Sequence, residues 1–106
     1  MAKYLLEFDY TPDGLKGVLK EGGTKRRQAV EQLIKSLGGK MEAFYYAFGD
    51  RDGFVICEMP DNVASAAAAL LVNASGAAAV KTVVLLTPEE LDQATKKVGD
   101  YRPPGK

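Results

Sequence analysis

The sequence predicts an α+β domain built on one four-stranded antiparallel sheet, and three observations carry that prediction. Apolar runs at residues 43–48 and 54–59 flank Gly49-Asp50-Arg51-Asp52-Gly53. Two glycines there accept positive φ at little steric cost, so an antiparallel hairpin stands in the middle of the chain. Strand-like segments at residues 2–10 and 80–86 bracket it. Between each of these and the hairpin lies a stretch of helical periodicity.

Taken in order, residues 2–10 alternate, with Tyr4, Leu6, Phe8 and Tyr10 on one side and Lys3, Leu5, Glu7 and Asp9 on the other. Thr11 is an N-cap and Pro12 a first helical residue for a short helix over 12–20, which Gly22-Gly23 interrupts. Thr24 then caps the longest helix, in which Val30, Leu33, Ile34 and Leu37 recur at helical spacing until Gly38-Gly39. After the hairpin, Pro60 cannot continue a ladder and Asp61 caps a helix over 62–73. That helix is rich in alanine, which favours helix and offers little volume; close packing on the sheet is the commoner reason for such a run, and a cavity lining the rarer one. Residues 80–86 form the fourth strand, and Thr87-Pro88-Glu89-Glu90 opens a last helix running to about Val98. Right-handed crossovers interleave these units into the ferredoxin-like βαββαβ sandwich, with both main helices on one face and a C-terminal helix added. Residues 1–99 make one domain; residues 100–106, with two prolines and a glycine, form a loose tail.

Composition narrows the chemistry. Lysine plus arginine and aspartate plus glutamate both number 14, so no net field attracts nucleic acid or anionic lipid. No apolar run is long enough to span a membrane and no basic segment precedes an apolar one at the start, so the expected location is cytoplasmic. There is no histidine and one cysteine, Cys57. Ser-His-Asp and Cys-His catalysis are thereby excluded, no internal disulfide forms, zinc loses its usual ligands, and no motif asks for a cofactor. Cys57, in an apolar strand, reads as a small buried hydrophobe. Asp50-Arg51-Asp52-Gly53 fails as a calcium loop after two ligand positions.

With both helices on one sheet face, the other is bare, and either parity class of its strands is substantially apolar. A patch of that kind is larger than soluble monomers usually expose, so self-association through the sheet face is expected, as a dimer or higher homo-oligomer.

The chain resembles the GYD domain family, a group of small, mainly prokaryotic proteins. Carrying the resemblance are Tyr4-Leu5-Leu6, Tyr10-Thr11-Pro12-Asp13-Gly14-Leu15, Leu37-Gly38-Gly39, Ala43-Phe44-Tyr45-Tyr46-Ala47-Phe48-Gly49-Asp50, Glu58-Met59-Pro60-Asp61, Ser75-Gly76 and Lys81-Thr82. In the naming Gly-Tyr-Asp motif, Gly49 and Asp52 match the ends and Asp50-Arg51 takes the place of the tyrosine. The resemblance implies a ferredoxin-like domain associating as a dimeric α+β barrel, a superfamily of small oxygenases, isomerases and ligand-sensing modules.

Two places suit chemistry. On the open face, Glu7 and Glu58 on the central strands would meet inside a dimer interface, where burial and like charge raise a carboxyl pKa, or would pair with Lys3, Lys81 or Arg51 as satisfied charges. One of Tyr45 and Tyr46 faces the same cleft. At Thr24, Lys25, Arg26 and Arg27, three consecutive cations in a helical first turn oppose the helix dipole, and an anion on the free N–H groups would relieve them; a solvated basic surface is the alternative. The leading expectation is a small-molecule-binding module. The alternatives are a cofactor-free oxygenase or isomerase with Glu58 or Glu7 as base, and a purely structural or regulatory oligomer.

Overall fold

The computed structural model describes residues 1–106 in full. Strand β1 (Ala2–Tyr10) is followed by helices α1 (Pro12–Glu21) and α2 (Gly23–Ser36), strands β2 (Lys40–Tyr46) and β3 (Gly53–Met59), helix α3 (Asn62–Ala74), strand β4 (Ala78–Leu85) and helix α4 (Pro88–Thr95). The strands lie in the order β2-β3-β1-β4, every neighbouring pair antiparallel. This is the ferredoxin-like arrangement that the order of elements predicts.

Alternation in β1 and β3 decides which face is covered. Tyr4, Leu6 and Phe8 on β1 and Val55, Cys57 and Met59 on β3 are buried beneath the helices, joined by Met41 of β2 and Ile34 of α2. Helix α2 lies on the β2 side of the sheet and α3 on the β4 side. The core is small: 12 of 106 residues are buried, so many apolar side chains remain for something else to cover.

Thr11 and Thr87 cap their helices as the sequence predicts, Thr87 in a full capping box with Glu90, and the Asp61 side chain accepts from the Ala64 N–H at 2.9 Å. Thr24 does not cap α2. Gly22, at φ 83°, donates to the Val18 carbonyl at 2.7 Å to end α1 and directly becomes the N-cap of α2, so the helix has started before Thr24 is reached.

The hairpin forms, but not for the expected reason. Neither Gly49 nor Gly53 has positive φ. Gly53 is the first residue of β3, and the Phe8 ring occupies the space its Cβ would take. Turn closure comes from polar contacts: Ala47 N–H donates to the Asp52 carbonyl at 2.8 Å, Asp52 N–H to the Phe8 carbonyl at 3.0 Å, and Tyr10 N–H to Asp52 Oδ2 at 2.8 Å. Asp52 thus ties the β2–β3 turn to the end of β1. A bulge between Met41 and Ala43 shifts the register of β2, leaving Glu42 beside Lys3.

Helix α4 ends at Thr95, three residues short of the predicted Val98, and residues 88–106 are all exposed. No helix is long and apolar enough to cross a membrane.

Candidate functional site

On the open face the strand register arranges side chains in three rows. Ala43, Ile56, Leu5 and Val83 form an apolar middle row across all four strands; Tyr45, Phe54, Glu7 and Lys81 lie on one side of it, and Lys40, Glu58, Lys3 and Leu85 on the other. The structure therefore places Glu7 and Glu58 on the same bare face but on opposite sides of the middle row, each next to its own cation. Glu58 lies 3.5 Å from Lys3, which also pairs with Glu42. Glu7 lies 3.7 Å from Arg51, whose guanidinium donates to Asp9 at 3.1 Å. The hydrogen bond to Lys3 holds the Glu42 carboxyl below its usual value, and the same bond raises the Lys3 ammonium.

The two tyrosines separate. Tyr45 stands on the open face, mostly exposed. Tyr46 points to the helix side, where its hydroxyl donates to the Gly23 carbonyl at 2.9 Å and its ring meets Phe44 and Phe8 edge-on. It shares no site with Glu7, Tyr45 and Glu58.

At the start of α2, two of the three cations already have acidic partners, one at the end of α1 and one on α2 itself. Arg26 donates to Glu21 at 3.2 Å and Arg27 lies 3.9 Å from Glu31, a pair one helical turn apart. Thr24 and Lys25 face solvent. These pairs offset the unfavourable first turn without an added anion.

Arg26 also belongs to a feature that periodicity does not reveal. Helices α2 and α3 sit over opposite halves of the sheet, and between them lies a partly open cavity of about 70 Å³. Leu6, Phe8 and Val55 floor it; Val30, Leu33 and Ile34 wall one side, and Ala68, Ala69 and Val72 the other. Its only charged lining residue is Arg26, next to Tyr10. The cavity adjoins a wider polar bowl of about 420 Å³, which shares Tyr10, Arg26 and Val72 with it and adds Asp13 and Glu21. Burial pushes the Tyr10 hydroxyl far above the ordinary phenol value, and the neighbouring Tyr46 adds to this and outweighs Arg26. The phenol is thus a neutral hydrogen-bonding group at any physiological pH. Space remains here because α3 presents alanines opposite bulky strand residues, so small side chains line a void instead of closing on the sheet. The alanine run was the one sequence signal for this site.

Searches of the curated proteins and of the solved structures returned no match. The family model described as "GYD domain" matches residues 4–95. That span covers nearly the whole of the sheet and its helices, and the chain belongs to the GYD domain family.

Proposed function

We propose that this protein is a small-molecule-binding module that associates with itself through its open sheet face. The observation that carries the binding part is the cavity between α2 and α3: apolar on all sides but one, with Arg26 and a neutral phenol at the polar end. Ligand sites commonly pair an apolar enclosure with a few convergent polar groups. At about 70 Å³ the cavity has room for a short apolar group only, so the ligand it suits places such a group between the helices and keeps the rest in the adjoining bowl, with an acceptor group that reaches Arg26 beside Glu21. Self-association is supported by the bare middle row of Ala43, Ile56, Leu5 and Val83, framed by charged residues in the manner of an interface with an apolar centre and polar rim. Glu7 and Glu58, each beside a cation, give the oxygenase or isomerase alternative no free base.

Native mass spectrometry of the purified protein reads both parts together, with butyrate as the added probe and Ala69→Leu as the variant that fills the cavity. A dimer that retains butyrate, and loses it in Ala69→Leu while the dimer persists, is the expected result. Equal retention by both proteins removes the cavity as the binding site, and a monomer at every concentration removes the sheet-face association.

A further inference from the structure

The C-terminal arm, residues 87–106, stands away from the domain that precedes it. Helix α4 makes no substantial packing contact with any strand or other helix. Along the arm Leu91, Val98 and Tyr101 are exposed by 56%, 99% and 77%. A capped helix of eight residues is too short to persist in water on its own, since isolated helices shorter than roughly 12–15 residues are marginal even in favourable sequences. Something must pack against it.

Whole-molecule dimensions point the same way. The Cα radius of gyration is 16.9 Å, against about 13 Å for a compact domain of this length. The chain exposes 7543 Å², where a folded monomer of its mass exposes roughly 5,800 Å². The surplus of about 1,700 Å² is around twice what one partner contributes to a standard stable interface, and falls in the range of obligate dimers.

We propose that the arm is exchanged: in the self-associated protein, α4 and the following segment of each chain pack on the body of a second copy, with Leu91, Val98 and Tyr101 as the anchors. This rests on the sheet-face association described above and deepens it. A second copy is the occupant because the arm continues directly from β4, an edge strand of the very sheet whose bare face needs covering. A partner seated on that face is therefore within reach of the arm, and the row flanking its centre carries an exposed aromatic group, Tyr45. Exchange covers both sets of apolar side chains with one contact.

Cross-linking of a mixed-isotope preparation tests the exchange. Unlabelled and ¹⁵N-labelled full-length chains are unfolded together, refolded and treated with an amine-reactive cross-linker. Links between Lys96 or Lys97 of the arm and Lys3, Lys40 or Lys81 of the body are then read by mass spectrometry. Links joining unlabelled to labelled peptides are expected, together with at least a tenfold weaker dimer in the full-length double variant Leu91→Asp, Val98→Asp whose strand signal by circular dichroism is unchanged. A dimer showing only same-isotope links, or one whose affinity the double variant leaves unaltered, overturns the exchange and leaves the sheet-face association standing. A full-length chain that stays monomeric overturns both.

Discussion

Cys57 sits in the middle of β3 between Val55 and Met59, with no exposed surface. Burial pushes its thiol up to about 11, with the Glu42 carboxylate adding a smaller rise. The neutral thiol is the form that folding favours, so its contribution to stability is whole below the ordinary thiol value near 9 and is lost as pH rises through about 11. Two consequences are measurable. At pH 8 the native protein reacts with iodoacetamide only as fast as it opens, at least a thousandfold more slowly than in urea above the unfolding midpoint. Between pH 9 and 11 the urea midpoint falls, and part of that fall disappears in Cys57→Ala. Rapid labelling of the native protein at pH 8 would show the strand to be open. Sequence alone supports this reading of Cys57, because a lone thiol in an apolar strand with no basic neighbour has little else to do. It does not identify Tyr10 and Arg26 as a pair, since they come together only when α2 settles above the end of β1.

The β2–β3 hairpin shows how an element can be right and its explanation wrong. Alternating apolar runs about a glycine-containing turn locate it, and its strands begin and end within a few residues of expectation. Its glycines, though, answer to packing: the Phe8 ring fills the position of a Gly53 side chain, and the ring is held in turn by Tyr10, Phe44 and Tyr46. Gly53→Ala therefore forces the aromatic cluster apart and costs about 1–3 kcal/mol in a urea titration, whereas Gly49→Ala, with open space at its Cβ, costs little beyond backbone effects. If both substitutions are equally mild, Phe8 is free to move and the cluster is not a fixed core. Asp52, the matching aspartate of the Gly-Tyr-Asp motif, bonds the Tyr10 amide and so is structural; Arg51, in the stretch that replaces the tyrosine, pairs with Glu7 and Asp9 on the open face. Strand parity was readable throughout, but which parity met the helices was not. That choice depends on the crossovers and on bulky Tyr4, Leu6 and Phe8 facing α2 and α3.

At the scale of the molecule, the topology follows from element order and handedness, while the cavity and the free arm do not. An alanine run reads the same whether it closes on a sheet or leaves a gap, and the helical pattern of residues 88–95 says nothing about what the helix touches. Both questions are settled by shape: α2 and α3 stand over different halves of the sheet, and β4 delivers the arm past its edge. In the proposed assembly, a molecule with 12 buried residues would gain much of its stability from contact between copies. If the folded state is the dimer, unfolding releases two chains, and heat stability depends on concentration. Each tenfold dilution then costs the dimer about 1.4 kcal/mol. Spread over the unfolding entropy of two chains of 106 residues, that lowers Tm by about 3 °C. Calorimetry across a hundredfold range is expected to show a shift of about 6 °C, with Leu5→Asp in the middle row abolishing the dependence by lowering Tm to that of the lone chain. A Tm that does not move with concentration in the native protein would mean that the bare sheet face and the arm are stable in water unaided.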